Sequence, residues 1–513
     1  MIMEKYIPIN YQVLSVKNKL LFTIFFYVVI TAFQLKPNVT FGQNLYIGAA
    51  TVDITPKLPV AVDGQMTVRI AEVAETPLTA NVIVLESRGE NTTVIVSCDM
   101  VTVPIALKEM IQKEVKKSLP VLDTKKIIIN ATHTHTGGVV RDNRYNIPEG
   151  VTQVKDYLEF VSDRVAKTIV TAYNQREQGS VSWGISHAKV AYNRRAVYED
   201  GTAKMYGNTA QSNFIKVEGY EDQAIQSLFF WNNKGEFVAT CINVPSPAQI
   251  VENRSTVNAD YWHPVREGLK EKYGRQLVVA GWIGAAGDQT PRPRYDEFAE
   301  WRMIALRNEK KSPDFATHTG GVNFRNEYHL KEIAARIIRA VDETYETVKI
   351  DKHETPIMKH EVNNIELPMR VVTEKEYNHA LKMRNEDLND PERAQVFSRR
   401  IVWYNKVLDR YAVQQSNPQP MYPVELHALR IGDVVICTNP FELFTEYGIQ
   451  MKARSKALQT FVVQLVGPGN YLATKEAVAG GHYSAIVESN EVGPEGGQIL
   501  VNWTVSMIDK LWP

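Results

Sequence analysis

Two histidines separated by one residue are the first side chains in this sequence that could do chemistry. His133 and His135 lie in the segment NATHTHTGG, directly after the β-branched run KKIIIN. In extended backbone, residues two apart point to the same face, so we expect both imidazoles to project together from a strand end. Such a pair suits a metal ion, or a metal ligand beside a proton donor. The alternative is a pair of surface histidines on a turn.

A second segment combines small residues with a carboxyl and a hydroxyl group. Residues 281–292 read GWIGAAGDQTPR and follow the apolar run RQLVVA. Small residues let backbone approach a ligand closely, and we expect them to leave Asp288 and Thr290 exposed on a tight turn. Thr290 is then either a nucleophile or a hydrogen-bond donor to a developing oxyanion. A plain glycine-rich turn is the alternative.

Two later segments carry a glutamate and a pair of tyrosines. Glu442 follows the apolar run GDVVICT, and Tyr471 and Tyr483 bracket a loop. A carboxylate in an apolar setting is costly unless it is paired or bound to a cation. The alternative for Glu442 is a position at a helix N-terminus, where the helix dipole favours it. The tyrosines by themselves could be packing residues.

In this order, the segments resemble those of the neutral ceramidase family. That family has an ATHTHSG-type segment, a GDxSP-type turn, a PGEF-type glutamate and a paired-tyrosine loop. The segment YIGAATVDITP at 46–56 is also similar to the first strand of that family. The resemblance runs from about residue 45 to the C-terminus. It implies an α/β fold in which mixed β-sheets are flanked by helices in one catalytic domain.

The resemblance also implies a metal centre. His133, Glu442 and Tyr471 match the family's zinc ligands. A zinc ion with three protein ligands and an open position lowers the pKa of a bound water to about 7. The sequence thus predicts one divalent metal ion, zinc, as the cofactor.

Further matching residues would act on the substrate. His135 would lie beside the substrate carbonyl, and Tyr483 would stabilise the oxyanion. Arg194 is similar to a substrate-side arginine of the family. Asp288 and Thr290 match the family's turn. The family has a serine at the position that Thr290 occupies here. The residues with predicted catalytic roles are His135, Tyr483, Arg194, Thr290 and Asp288.

One zinc ligand that the resemblance implies is missing. The family has a further histidine fourteen residues before an aspartate that matches Asp260, and counting back from Asp260 leads to Ser246. Serine is a poor zinc ligand. The site has therefore lost one imidazole or recruits a substitute, for which Ser246, Gln249 and His263 are the candidates. His263 could equally be a packed histidine.

Arginines near these segments direct the substrate prediction. Arg194 and Arg195 follow Tyr192-Asn, and Arg292 and Arg294 follow Thr290. Guanidinium groups bind carboxylate or sulfate through paired hydrogen bonds. We therefore predict a hydrolase acting on a polar or anionic glycan, glycoside or ester. The alternatives are an N-acyl amidohydrolase acting on a lipid such as ceramide, and a non-catalytic binding protein of the same fold.

The elements that must position these residues alternate between strands and helices. The patterns predict strands at 79–87, 92–100 and 125–130, with a helix at 104–119 between the last two. A further helix is predicted at 329–348, and strands at 427–440 and 460–467. The charged stretch 374–415 contains NDPER, which is typical of a helix start, so we expect two helices packed as a hairpin there.

The first 43 residues resemble an export signal. Lys17 and Lys19 precede the apolar run 20–33, which is shorter than the about 20 residues of a membrane-spanning helix. A basic region, a short apolar core and a polar stretch are typical of a secretory signal. The catalytic domain is then expected at 44–513, and the protein in the periplasm, on the cell surface or in the medium. An uncleaved anchor is the alternative, and the only expected route to a membrane.

The bulk composition narrows the partners. The chain has 513 residues, 44% hydrophobic, and a formal net charge of +0. No overall field would draw it to nucleic acid, so a small-molecule, lipid or glycan substrate is the expected partner. Cys98, Cys241 and Cys437 each end an apolar run and are predicted to be buried strand thiols.

Overall fold

Strands and helices alternate along the described chain, which confirms the α/β prediction. The computed structural model describes residues 43–87, 91–310 and 322–512. The strands are β1 Leu45–Asp53, β2 Val60–Val62, β3 Arg69–Ala71, β4 Thr79–Ser87, β5 Asn91–Cys98, β6 Ile127–Ala131, β7 Glu177–His187, β8 Tyr192–Asn193, β9 Arg195–Tyr198, β10 Ala203–Met205, β11 Phe214–Val217, β12 Ala224–Asn232, β13 Phe237–Val244, β14 Val278–Ile283, β15 Gln289–Thr290, β16 Met358–Pro368, β17 Met421–Ile431, β18 Val434–Thr438, β19 Glu442–Leu443, β20 Gln459–Val463 and β21 Tyr471–Leu472. The helices are α1 Ile105–Ser118, α2 Val154–Asn174, α3 Trp262–Tyr273, α4 Glu297–Glu309, α5 Val322–Val348, α6 Glu374–Leu388, α7 Pro391–Val396, α8 Ser398–Ser416, α9 Thr445–Arg454, α10 Lys475–Gly480 and α11 Pro494–Leu511, with a 3-10 turn at Thr124–Lys126.

Two mixed sheets form the centre of the structure. Over the described ranges, the larger sheet has eight strands in the order β14-β13-β12-β7-β1-β4-β5-β6. Its outermost pairs, β13–β14 and β5–β6, are parallel, and the pairs between them are antiparallel. The smaller sheet has the order β16-β17-β18-β20, with β18 and β20 parallel. Both β6 and β18 end near a predicted site segment.

The sheets pack against each other, and helices cover their outer faces. In β4, Ile83 and Leu85 pack toward the smaller sheet, whereas Val82 and Val84 pack under α1 and α2. The same alternation occurs in β18. Since strands buried on both faces need apolar residues at every position, this layering explains the continuous β-branched runs. Helices α3 and α5 cover the other end of the large sheet, and α9 and α11 cover the small one.

The charged stretch 374–415 folds differently from the predicted two-helix hairpin. It forms three helices, α6, α7 and α8, because the side chain of Asp390 accepts hydrogen bonds from the amides of Glu392 and Arg393 and begins the short α7. The rings of Tyr377 in α6 and Tyr411 in α8 stack with centroids 4.4 Å apart. The pairing of two long helices was therefore expected, and the short third helix was not.

Three further expectations can be compared with the described chain. Cys98, Cys241 and Cys437 are free and buried, as predicted. The predicted export signal lies outside the described residues, apart from Gln43. Among the residues described, no helix is long and apolar enough to cross a membrane.

Candidate functional site

A turn after β6 places the two histidines, rather than the strand itself. His133 has φ 61°, in the left-handed region, and its amide donates to the Met100 carbonyl at 2.9 Å. The hydroxyl of Thr132 donates to the buried carboxylate of Asp99 at 3.0 Å. The expectation of an extended backbone through His133 and His135 is therefore wrong, although both imidazoles do come together.

The hydrogen bonds of the two imidazoles assign their protons. Nδ1 of His133 lies 2.8 Å from the Val101 carbonyl and must donate to it. Nε2 of His135 lies 2.7 Å from the side-chain nitrogen of Gln249, which can only donate. The proton of His135 is therefore on Nδ1, which lies 3.4 Å from Glu252 Oε2. Nε2 of His133 thus presents a lone pair, whereas the single lone pair of His135 Nε2 accepts from Gln249.

Three electron-rich atoms lie close together around His133. The two Nε2 atoms lie 3.2 Å apart, and His133 Nε2 lies 3.5 Å from Glu442 Oε2. Three electron-rich atoms at this spacing need a proton or a cation between them. Ligands of a tetrahedral zinc with bonds of about 2.0–2.1 Å lie about 3.3 Å from one another, which is close to both separations. His133 and Glu442 are therefore at the spacing of two zinc ligands, while the lone pair of His135 Nε2 is taken by Gln249.

A short parallel pair of strands brings Glu442 to Tyr471. Glu442 in β19 is paired in register with Tyr471 in β21, and the two side chains are hydrogen-bonded. Burial alone would raise the pKa of Glu442, but His133, Arg194 and the Tyr471 hydroxyl lower it to about 2. Glu442 is therefore an ionised carboxylate beside His133, and it is not part of a helix, since α9 begins only at Thr445.

Arg194 is a buried cation behind this group. It is 3% exposed, and its guanidinium donates to the Gly287 carbonyl at 2.8 Å, to the Tyr471 hydroxyl at 3.2 Å and to Gln249 Oε1 at 3.3 Å. The bond to Oε1 fixes the orientation of the Gln249 amide. Arg194 therefore orients both Tyr471 and Gln249 and supplies positive charge without a directly paired carboxylate.

Glu252 and Gly64 complete the surroundings of His135, and sequence reasoning missed both. Burial would raise the pKa of Glu252, but His135, Arg292 and Arg194 lower it to about 2. Burial also lowers the pKa of His135 to about 4. Gly64 has φ +106°, and a Cβ there would lie 2.3 Å from Cγ of His135. The only signal for Glu252 was its place three residues after Gln249.

A cavity of about 210 Å³ opens onto these groups. The rings of Tyr471 and Tyr483 meet edge to face at 5.6 Å, and Tyr483 also lies 5.9 Å from the ring of Trp403. The predicted site residues on its wall are His133, His135, Glu442, Tyr471 and Tyr483. Five residues from three separate segments of the sequence thus face one space.

Asp288 and Thr290 are not exposed, contrary to the expectation for their turn. They are 4% and 0% exposed. The Asp288 carboxylate accepts from the amide and hydroxyl of Thr445 at 2.9 and 2.7 Å and from Asn193 at 2.8 Å. Its side chain therefore joins the turn to the start of α9. The hydroxyl of Thr290 accepts from the Arg292 amide at 3.3 Å and lies 3.5 Å from the Tyr206 hydroxyl.

Of the three candidates for the missing zinc ligand, only Gln249 contacts the histidine pair, through its hydrogen bond to His135. Ser246 is fully buried and its hydroxyl donates to the Val190 carbonyl at 3.1 Å. His263 lies on α3, where its charged neighbours include Glu267 and Arg266. The amide of Gln249 thus contacts His135 without adding an imidazole.

The four arginines singled out in the sequence have separate partners. Arg195 is fully buried and paired with Glu218. Arg292 lies 3.0 Å from Glu252, and Arg294 donates to the Gly207 carbonyl. None of these three, nor Arg194, belongs to the cavity wall. Their guanidinium groups therefore bind other groups of this protein.

Solved structures share this architecture at low sequence identity. A neutral ceramidase from Pseudomonas aeruginosa superposes with a TM-score of 0.65 at 15% identity, covering 91% of this chain and 75% of that chain. The chain has the neutral ceramidase fold. A ceramidase complexed with C2 gives a TM-score of 0.63 at 14% identity, with the same coverage. A scan of protein-family models and a search of curated proteins gave no match.

The metal centre expected of a neutral ceramidase fold is only partly provided here. Over the described part of the chain, no group of three or more His, Cys, Asp or Glu side chains is arranged to hold a metal ion. Two such residues, His133 and Glu442, approach each other, and Tyr471 adds a phenol. A divalent ion here would thus depend on Tyr471 as a third ligand, because the Nε2 lone pair of His135 accepts from Gln249.

Proposed function

We propose that this protein is an exported, metal-dependent hydrolase that acts on a polar or anionic substrate, a glycan, glycoside or ester. The observation that carries the proposal is the cavity wall, where charged side chains adjoin the histidine pair, namely Arg141, Arg144, Arg399, Lys406, Glu488 and Glu491. A long acyl or sphingoid chain gains nothing from charged walls, whereas a polar substrate can replace their hydration. The cavity is also smaller than the about 300–1,000 Å³ of pockets for drug-sized ligands.

The residues of the chain have complementary tasks in such a reaction. Zinc held by His133, Glu442 and Tyr471 would act as a Lewis acid at the bond to be cleaved. Glu252 and Gln249 keep His135 in one tautomer, in which Nδ1 carries the proton and Nε2 accepts from Gln249. Arg194 holds Tyr471, and the hydroxyl of Tyr483 would donate to negative charge that develops on the substrate.

Hydrolysis of an N-acyl lipid is the second candidate. The likeness to a neutral ceramidase and to a ceramidase complexed with C2 favours it. At 14–15% identity this likeness concerns the fold. A fold hosts several chemistries, so the wall of the site carries more weight than the architecture.

Elemental analysis combined with a substrate panel tests the proposal. We expect about one zinc per chain in the wild type, less in Glu442→Gln, and an unchanged content in the matched control Glu446→Gln. We expect the wild type to hydrolyse a 4-nitrophenyl uronide or acetyl ester faster than N-acyl sphingosine. Faster release from N-acyl sphingosine would favour the second candidate. Zinc-loaded protein that cleaves none of them would support a binding protein.

A further inference from the structure

Three arginines form a basic cluster on the cavity wall, apart from those noted in the sequence. Arg141 and Arg144 belong to the loop after the histidine segment, and Arg399 lies in the first turn of α8. All three line the cavity that holds His133 and His135. The cluster is assembled from segments about 250 residues apart in the chain.

One buried carboxylate faces this cluster. Arg144 is hydrogen-bonded to Asp63, and Nη2 of Arg141 lies 3.6 Å from Asp63 Oδ2. Arg399 donates to the backbone carbonyls of Gly64 and Gln65 instead. Three guanidinium groups and one carboxylate leave two positive charges in excess, and repulsion within the cluster adds to burial in lowering the pKa of Arg141 to about 10.

Three further acidic residues, Asp142, Glu488 and Glu491, line the same cavity. Glu491 pairs with Lys406 at 2.7 Å, and the charge of Glu488 acts on the guanidinium of Arg370. Asp142 is exposed to solvent. Nε of Arg141 is buried and has no hydrogen-bond partner, although it is a donor. Buried donors without partners are uncommon in native proteins, and a bound ligand or water can complete such a donor.

The cluster adjoins the reaction centre directly. The backbone of Asp63 and Gly64 carries the carboxylate on one side and packs against the ring of His135 on the other. Arg69 donates to the carbonyls of both Asp63 and His135 at 2.6 Å. A group bound by the arginines would thus share one cavity with the histidine pair.

An aromatic surface lies on the same cavity. Trp403 lies on α8, the helix that carries Arg399, and its indole is half-buried. Its ring and that of Tyr483 both line the cavity. Aromatic faces beside polar groups suit ligands that have both apolar C–H surfaces and hydroxyl groups. Sugar rings have this composition, and uronic acids add a carboxylate.

We propose that Arg141, Arg144 and Arg399 form a subsite for the carboxylate of an acidic sugar, whose ring lies against Trp403. This inference deepens the proposed function and rests on it for the cleavage step. Binding of the sugar itself needs only the cavity wall. A carboxylate would complete the Nε donor of Arg141 and neutralise the excess charge through paired hydrogen bonds.

Isothermal titration of the full chain with two matched sugars tests the subsite. Methyl β-D-glucuronide and methyl β-D-glucoside differ only at C6, which is a carboxylate in the first and a hydroxymethyl group in the second. We expect the glucuronide to bind at least about ten-fold more tightly, in line with charge-assisted hydrogen bonds. Arg399→Met should abolish this preference, and Arg399→Lys, which keeps the charge, should keep part of it.

Matched controls lie on the same helix and elsewhere on the surface. Arg400 pairs with Asp387 away from the cavity, so Arg400→Met should keep the full preference. Trp403→Leu should weaken both sugars equally, whereas Trp503→Leu, at an exposed position of α11, should weaken neither.

Equal binding of the two sugars by the wild type, or a preference that survives Arg399→Met, would overturn the subsite. Unchanged sugar binding in Trp403→Leu would overturn the stacking role. Since the titration detects binding alone, these failures are distinct from an absence of hydrolysis, which would contradict only the proposed function.

Discussion

At the scale of single residues, Gly64 determines how closely the backbone approaches His135. We predict that Gly64→Ala lowers kcat/KM by at least about 100-fold, because a displacement of about 1 Å at a reaction centre has this effect. The added Cβ would lie 2.3 Å from Cγ of His135 and must displace the ring. Steady-state kinetics on the best substrate of the panel measures the loss.

Gly274 is the matched control for this change. It has φ +121° and open space at its Cβ position, so Gly274→Ala adds similar backbone strain without a contact. We expect about 1–2 kcal/mol of destabilisation from the left-handed backbone in both variants, and a loss of activity only in Gly64→Ala. Equal activity of the two would contradict a positioning role for Gly64.

Thr290 can be tested as a nucleophile by removing its hydroxyl. Its Oγ1 is fully buried and contacts the Arg292 amide and Tyr206, not the histidine pair. We predict that Thr290→Val changes kcat/KM by no more than about ten-fold, the effect of one lost hydrogen bond. Loss of a nucleophile would lower kcat by about 10⁶-fold. A loss of kcat of that size in Thr290→Val, together with near wild-type kcat in Thr290→Ser, would support Thr290 as the nucleophile.

At the scale of elements, one buried ion pair connects helix α3 to the strands that carry the histidine segment. Both nitrogens of the Arg266 fork donate to Asp99 at 2.6 and 2.9 Å. The same carboxylate accepts from the Thr79 amide at the start of β4 and from Thr132 after β6. The pair therefore holds three elements around the turn before His133.

Breaking this pair should destabilise the whole fold. We predict that Arg266→Met lowers the free energy of unfolding by about 3–5 kcal/mol, because it leaves a buried charge without its partner. Urea denaturation monitored by tryptophan fluorescence measures the change. Arg275→Met removes an exposed partner of Glu267 and should cost no more than about 0.5 kcal/mol. A similar small loss for Arg266→Met would contradict the role of the pair.

At the scale of the whole molecule, buried histidines link stability to pH. Burial lowers the pKa of His329 to about 3, that of His360 well below its usual value, and that of His427 to a lesser degree. Nε2 of His427 lies 2.8 Å from Glu425, and its Nδ1 lies 3.0 Å from Nε2 of His360. Both rings can satisfy these bonds as neutral imidazoles.

We predict that the free energy of unfolding decreases as the pH falls below about 6.5. In this window the unfolded chain binds protons that the native histidines exclude, at up to about 1.4 kcal/mol per pH unit for each. Asp260, whose pKa burial raises to about 6, offsets one of these protons. Urea denaturation at pH 7.5, 6.0 and 5.0 measures the slope. His329→Phe should reduce it, and equal stability at all three pH values would contradict the prediction.

The sequence by itself determined the α/β class, the main strands and five of the residues that face the cavity. Runs such as TANVIVLES are apolar at successive positions because their strands are buried on both faces, and this pattern is local. His133, Glu442, Tyr471 and Tyr483 could be singled out because each lies in a segment of recognisable composition. Their meeting around one cavity was implied by a family resemblance, not by the pattern alone.

Tertiary structure alone decided what surrounds these residues. Glu252, Gly64 and the cluster of Arg141, Arg144 and Arg399 come from loops or helix ends, where no periodicity relates side chains that are distant in sequence. The left-handed turn at His133 and the burial of Asp288 and Thr290 likewise depend on hydrogen bonds to residues over 30 positions away. The partners of loop side chains are set by how the elements pack against one another. A local sequence pattern therefore cannot predict these partners.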